Sequence, residues 1–223
     1  MEQSERRLVR EVSVEGPRGE IYDRYGKLMV TNEVGYDLCL YYTKVEKTKL
    51  NQILLEVAKI LEKNEDEFIN NFPIDFDEMV FTKSDATMAN WKKNNKIDEN
   101  ATVQDVIEFY KEKYEIETDE IEDIKKIIPM RYEIASKGYT SYKSVTLAKE
   151  ISVESMLEVE ERNNEFSGVN ISKYPVRKYL TGSVASHILG YTGSISSDEL
   201  KNKKEQGYSQ NDVIGKSRNR SNI

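Results

Sequence analysis

The sequence offers few residues whose type and spacing could perform catalysis, and His187 is the first of them. It is the only histidine among 223 residues, so a histidine-centred triad or a site with several histidine ligands would have to depend on it. It lies in the segment 186–190, SHILG, which has the composition of a helix end. An imidazole bonded to nearby backbone is the favoured interpretation. The chain also lacks a Cys/His cluster for zinc.

The run Gly215-Lys216-Ser217 resembles the end of a phosphate-binding loop. Such a loop needs a partner glycine five residues before Gly215, and that position holds Gln210. No glycine-rich cradle precedes the run, and no strand pattern leads into it. A nucleotide-binding loop is therefore not predicted.

Carboxylates are plentiful, with runs at residues 65–67 and 158–161. At helical spacing such runs are usually solvated faces that also favour the helix dipole. Nothing in their spacing pairs two of them for acid–base chemistry. The sequence thus predicts no catalytic residue, no metal site and no cofactor.

The composition limits the kinds of partner. Charged residues make up 33% and apolar residues 38%, and the net charge is −7, without a basic stripe for a phosphate backbone,. Nucleic-acid binding is not expected. Cys39 is the only cysteine and is interpreted as a small buried thiol,. No run approaches the ~20 apolar residues that cross a bilayer.

Strand patterns lie towards both ends of the chain. Residues 9–14 lead into a hairpin at 18–29, in which Asp23 can bond the turn backbone and Gly26 supplies a positive φ. Residues 28–31 are expected to pair with the first strand of this hairpin. Apolar and polar residues alternate at 36–41, which predicts a further strand. The later strands are expected at 144–148, 168–172 and 191–195.

Helical patterns dominate the middle of the chain. Thr43 and Glu46 form a possible capping box before an apolar stripe that ends at Leu61. Thr102 is predicted to cap the next long helix. The other expected helices are a short one from Asn64, one from 118 or 119 that is kinked or interrupted at Pro129 and closed by Gly138, and three at 152–161, 183–189 and 197–207. Residues 74–101 show no clear period.

This order predicts an α+β fold, with an elongated, strand-built stalk made from both ends of the chain and a mostly helical head inserted between them. The predicted stalk comprises residues 1–43 and 168–217. The predicted head comprises residues 44–167.

Two separated motifs resemble one family. Residues 18–29 read RGEIYDRYGKLM, and residues 175–195 carry P-x-R-x-Y, then G-x-x-A-x-H-x-L-G-Y-x-G-x-I. Both resemble the N-terminal pedestal, or dimerisation, domain of class B penicillin-binding proteins. The segment Met130-Arg131-Tyr132-Glu133-Ile134 resembles the elongation-type, rod-shape enzymes of Gram-positive bacteria. Residues 212–217 resemble the entry to the catalytic domain, whereas 218–223 depart from the family and are expected to be a linker or tag remnant.

The resemblance implies a parent protein that cross-links peptidoglycan as a serine-type D-Ala-D-Ala transpeptidase and binds β-lactams. That chemistry needs a serine with lysine three residues later, and no serine in this chain has one,. The chain is therefore expected to be non-catalytic. Its implied partners are its own transpeptidase domain, a SEDS-family glycosyltransferase and a rod-shape scaffold protein.

The resemblance also implies a location on the extracytoplasmic face of the cytoplasmic membrane, with the parent anchored by a transmembrane helix upstream of residue 1. A division or sporulation paralogue is the alternative within the family. An unrelated soluble protein-binding module is the alternative outside it.

Structural roles are expected for the motif residues. Arg18, Asp23, Arg24 and Arg177 are predicted to form a partly buried ion-pair network, the alternative being exposed charges of little energetic consequence. The remaining motif residues are expected to set backbone geometry or packing: Gly16, Gly19, Gly26, His187, Gly190 and Gly193.

Four apolar residues of the irregular middle segment are candidates for partner binding: Phe76, Met79, Phe81 and Trp91. They would form either a core of the head or an exposed docking patch. The core is favoured, since monomers seldom leave large apolar patches uncovered.

Overall fold

The computed structural model describes residues 16–41, 45–138, 144–180, 192–203 and 213–215. Its residues divide into two units. The first unit takes its residues from 1–34 and 175–223, and the second comprises Gly35–Tyr174. The α+β prediction, with a mostly helical unit inserted into one built from both ends of the chain, is confirmed.

The first unit is built mainly from strands. Strand β1 (Ile21–Tyr22) pairs antiparallel with the start of β2 (Leu28–Leu40). Strands β7 (Thr192–Ser194) and β8 (Val213–Gly215) form a separate antiparallel pair. Ile195, directly after β7, and Ile214, the middle residue of β8, are both buried. Helix α6 (Ser197–Lys203) lies between these two strands in the sequence.

In the second unit, a small antiparallel sheet carries one side of the core. The end of β2 pairs with β5 (Val145–Ala148), and β2 also pairs with β6 (Val169–Tyr179). Helices α1 (Lys47–Lys63) and α5 (Val153–Glu161) contribute apolar faces to the core cluster of this sheet. Cys39 lies in this region, as predicted, with its thiol 3.7 Å from the Thr146 hydroxyl.

A second core cluster is helical and aromatic. It combines a hairpin of β3 (Ile74–Asp75) and β4 (Val80–Phe81) with three helices. These helices are α2 (Asp85–Asn94), α3 (Val103–Tyr114) and α4 (Ile121–Lys137). Thr102 caps α3 with a complete capping box, as predicted, and Gly138 ends α4 in the left-handed conformation,.

Several local predictions were wrong. The two strands expected at 28–31 and 36–41 are one strand, and residues 213–215 do form a strand. No helix starts at Asn64, because the segment after α1 runs along β5 instead, through the bridge from Phe68 to Ala148. Helix α4 continues through Pro129, so the alternative that this proline interrupts the helix is wrong. The predicted strand at 9–14, the cap at Thr43 and the helix at 183–189 lie outside the described residues.

Candidate functional site

The hairpin motif is organised by Asp23. Its carboxylate Oδ1 accepts hydrogen bonds from the backbone N–H of Tyr25 at 2.8 Å and of Lys27 at 2.9 Å. The Gly26 N–H donates to the Asp23 carbonyl at 3.0 Å, and Gly26 has φ +78° as predicted,. The aspartate and glycine of the motif are thus explained by the turn they build.

Arg177 links the C-terminal part of this unit to the N-terminal part. Its Nη1 donates to the Arg18 carbonyl and to Asn32 Oδ1, both at 3.2 Å, and Asn32 Nδ2 donates to the same carbonyl at 2.6 Å. One guanidinium therefore fixes the segment before β1 against β2 and β6. This is a use of the fixed donor geometry of arginine that lysine cannot reproduce.

Glu20 also lies near this junction. It accepts hydrogen bonds from the Tyr22 and Thr31 hydroxyls. These two bonds, and then the positive charge of Arg177, lower the pKa of the Glu20 carboxyl. Neither Glu20 nor Asn32 was predicted from the sequence as a member of this group.

The predicted ion-pair network was wrong for Asp23. This carboxylate forms no ion pair with the three arginines, because the turn backbone occupies it. The Arg24 guanidinium instead lies 4.7 Å from the centre of the Tyr25 ring. Gly19 is exposed before β1, and Gly193 occupies a strand position. His187 and Gly190 lie outside the described residues.

The four candidate partner-binding residues belong to the aromatic cluster of the second unit. Phe76 is 8% exposed and Trp91 is 9% exposed, and Met79 and Phe81 pack against the cluster half-buried. Phe76 and Trp91 therefore form part of a core and not of an exposed docking patch.

Two hydrogen bonds satisfy polar groups of the aromatic cluster. The Trp91 indole N–H donates to the Tyr132 hydroxyl at 2.8 Å, and the Tyr110 hydroxyl donates to Asn95 Oδ1 at 3.0 Å. Burial raises the pKa of Tyr110, and raises that of Tyr114 to about 12. Tyr110 and Tyr114 are therefore held neutral inside a packed core.

A cleft of about 690 Å³ opens beside this cluster. It lies between the end of α1, the segment 65–70, the β3–β4 hairpin and the first half of α4. Its apolar lining comes from Ala58, Phe68, Phe72, Ile74 and Phe76.

The polar lining of the cleft is mainly acidic. Six carboxylates line it, against the two ammonium groups of Lys125 and Lys126. Lys126 pairs with Glu62 at 2.9 Å, which lowers the pKa of that carboxyl, and Lys125 contacts Asp77 at 3.3 Å. The other acidic residues of the lining are Glu65, Asp66, Glu67 and Asp75.

The segment that carries three of these carboxylates has a fixed backbone. Helix α1 ends in a Schellman arrangement, in which the Asp66 N–H donates to the Leu61 carbonyl at 2.8 Å and Glu65 takes a φ of +61°,. The Asp66 carboxylate accepts from the Ser152 N–H and hydroxyl, and the Ile69 N–H donates to the Leu147 carbonyl. From their spacing, residues 65–67 are expected on a solvated helical face, and the cleft is not predicted, because no local pattern shows that α4 and the hairpin lie opposite.

The described residues contain neither a metal-ligand cluster nor a membrane-crossing helix. None of their histidine, cysteine and acidic side chains form a group of three suited to a metal ion. None of their helices is both long and apolar enough to cross a bilayer. What the geometry provides is a braced strand unit and an acidic cleft in a rigid helical unit.

Comparison with protein families places the chain. Residues 13–218 match the sequence model of the penicillin-binding protein dimerisation domain. The chain belongs to this family. The match includes the hairpin motif, Arg177 and the whole helical unit, so the bracing and the cleft are features of a penicillin-binding protein pedestal domain.

Solved structures with similar folds come from the same class of protein. Penicillin-binding protein 2B from Streptococcus pneumoniae strain 5204 is 21% identical, with a TM-score of 0.42, over 92% of this chain and 33% of its own. The penicillin-binding protein PBP2 in complex with MreC from Helicobacter pylori is 17% identical, with a TM-score of 0.40, over 92% of this chain and 26% of its own. The chain thus spans about a third or less of the length of these proteins.

Proposed function

We propose that this pedestal domain is non-catalytic and positions a serine-type D-Ala-D-Ala transpeptidase domain during peptidoglycan cross-linking. The observation that carries the proposal is the family match over nearly the whole chain. The absence of any serine with lysine three residues later supports a role without acyl transfer,. The parent protein, and not this chain, would bind β-lactams.

The braced strand unit supports the positioning role. A spacer must keep its shape under load, and the contacts of Arg177 with Arg18 and Asn32 join segments that are far apart in the sequence. Asp23 and Gly26 fix the hairpin itself. These residues are proposed to act structurally, by holding the strands in register.

The helical unit is proposed to contact partner proteins. A SEDS-family glycosyltransferase and a rod-shape scaffold protein are the proposed partners, on the extracytoplasmic face of a membrane that anchors the parent. The sequence around Arg131 and Tyr132, which resembles elongation-type enzymes of Gram-positive bacteria, supports this assignment. A division or sporulation paralogue is the second candidate, and the family match excludes an unrelated binding module.

Labelling with a fluorescent β-lactam tests the central proposal. The purified chain should remain unlabelled, and the full reading frame should form a covalent adduct that survives denaturing gel electrophoresis. The matched control is the full protein with its nucleophilic serine replaced by alanine, which should also remain unlabelled. Acylation of the chain alone, or none of the full protein, would refute the proposal.

The position of a fluorescent fusion in growing cells separates the two assignments within the family. The elongation-type assignment predicts patches along the side wall and loss of rod shape on depletion. Recruitment to the division septum alone, with filamentation on depletion, would identify the division-type paralogue instead.

A further inference from the structure

We propose that the acidic cleft of the helical unit binds a basic, extended segment of a partner protein, in which Lys or Arg residues alternate with apolar ones. The proposal deepens the proposed function, because it assumes that the pedestal contacts partners. It does not require that the chain be joined to a transpeptidase, so the two can fail separately.

The charge of the lining identifies the chemistry of the occupant. Within the described residues, Glu65, Asp66, Glu67 and Asp75 form no ion pair, whereas Lys125 and Lys126 are already paired with acidic neighbours. Among the described residues, the cleft therefore presents Glu65 and Glu67 without a cationic partner, together with Asp66 and Asp75, whose carboxylates accept hydrogen bonds from neutral protein groups. Like charges gathered along one concave surface attract cations from solution and favour a partner of opposite charge.

The apolar floor indicates more than a free cation. Phe68 is half-buried, and the more deeply placed Phe72, Ile74 and Phe76 continue the lining beneath it. A volume of about 690 Å³ exceeds what one ammonium group fills. A peptide that alternates basic and apolar side chains satisfies both the acidic rim and the floor.

The lining is organised before any partner arrives. The Ser152 contacts fix Asp66, and the Asp75 carboxylate accepts from the N–H groups of Asp77 and Glu78 at 2.9 and 3.0 Å. The backbone of 65–69 is bonded to α1 and β5. Binding would thus require little ordering of this side of the interface, which favours affinity.

Isothermal titration of the 223-residue chain with a synthetic probe tests the proposal. The probe is the hexapeptide Lys-Leu-Arg-Lys-Phe-Lys, acetylated and amidated at its ends. We expect binding that weakens at least fivefold between about 50 mM and about 300 mM salt. The same peptide with serine at both apolar positions should bind about threefold more weakly, because it leaves the floor uncovered.

Matched charge variants locate the site. Glu65→Gln with Glu67→Gln should weaken probe binding about five- to tenfold. Glu112→Gln with Glu161→Gln removes the same charge from exposed residues outside the cleft and should change binding less than twofold. Equal effects of the two pairs would overturn the proposal.

Amide chemical-shift mapping of the wild-type chain shows where the probe binds. It does not depend on variants whose folding could be altered. The probe should shift resonances of residues 62–77 and 125–126, and the wild-type spectrum should be independent of protein concentration. Shifts confined to other residues would overturn the proposal. Shifts of the cleft on concentrating the chain alone would identify a second copy as the occupant and overturn it as well.

Discussion

The indole N–H of Trp91 donates a 2.8 Å hydrogen bond to the hydroxyl of Tyr132, which joins α2 to α4 inside the aromatic cluster. The two rings are 6.2 Å apart, and Phe72 contacts both. Since a buried N–H without an acceptor costs free energy, this single bond constrains how the two helices pack. Helix α4 lines the acidic cleft, and α2 contributes Trp91 to the core cluster beside it.

Tyr132→Phe should therefore destabilise the chain by about 1–2 kcal/mol, because it leaves the indole N–H without an acceptor. Tyr114→Phe is the matched control, since the Tyr114 hydroxyl is buried and has no hydrogen-bond partner among the described residues. Its removal should be neutral or stabilising by up to about 1 kcal/mol. Urea unfolding followed by the fluorescence of Trp91, the only tryptophan, measures both. Equal losses in the two variants would contradict the assigned role of the bond.

The capping box of α3 gives a second comparison. Thr102 Oγ1 accepts from the Asp105 N–H at 3.2 Å, and the Asp105 carboxylate accepts from the Thr102 N–H at 2.8 Å. Thr102→Ala should cost about 1 kcal/mol. Ser84→Ala at the start of α2 should cost less than about 0.5 kcal/mol, because the Ser84 side chain makes no cap bond to the backbone,. The difference in urea midpoints tests this, and a larger loss at Ser84 would contradict it.

The same box predicts a pH dependence. Hydrogen bonds from Thr102 lower the pKa of the Asp105 carboxyl below its ordinary value of 3.8. Because the folded pKa is depressed, the stabilisation is complete above the unfolded pKa and is lost as the pH falls through the lower, folded value. Unfolding midpoints measured from neutral to acidic pH should fall less steeply below about pH 3.8 in Asp105→Asn and in Thr102→Ala than in wild type. A slope unchanged in both variants would rule out this contribution.

Local chemistry made parts of the fold predictable. The turn at Asp23 and Gly26, the cap at Thr102 and the end of α4 at Gly138 each depend on residues close in sequence. Helix α2 was not predicted, because the apolar residues of α2 show no clear period. Tertiary contacts of its Trp91 with Phe72 and Tyr132 stabilise it instead,.

Contacts between distant segments explain the failures at Pro129 and at the cleft, whereas a local turn explains the failure at Asp23. Pro129 does not end α4, since the helix is buried on both sides of it and packing offsets the lost hydrogen bond,. Asp23 was assigned to an ion-pair network, yet the backbone of its own turn bonds it first. The cleft brings residues 62–77 opposite Lys125 and Lys126, which no periodicity of one segment reveals.

Arg177 is expected to stabilise the strand unit more than its neighbour does. Arg177→Ala removes the hydrogen bonds to the Arg18 carbonyl and to Asn32, and should cost about 1–2 kcal/mol,. Lys178→Ala removes an exposed ion pair with Glu33 and should cost less than about 0.5 kcal/mol,. Hydrogen exchange of the amides of residues 18–32 should accelerate in the first variant only. Equal protection in the two variants would show that Arg177 does not brace this segment.

Glu65 separates the stability of the helical unit from the binding proposed for its cleft. Its φ of +61° lies in the left-handed region, which is unfavourable for a residue with a Cβ and suits glycine at this position after a helix,. Glu65→Gly should therefore raise the free energy of unfolding by about 0.5–1 kcal/mol and, at the same time, weaken binding of the basic probe peptide. Glu67→Gly removes the same charge at a residue without positive φ and should lower stability,. Urea unfolding of the two variants gives opposite signs if the left-handed strain at Glu65 is real, whereas a loss of stability in both would contradict it.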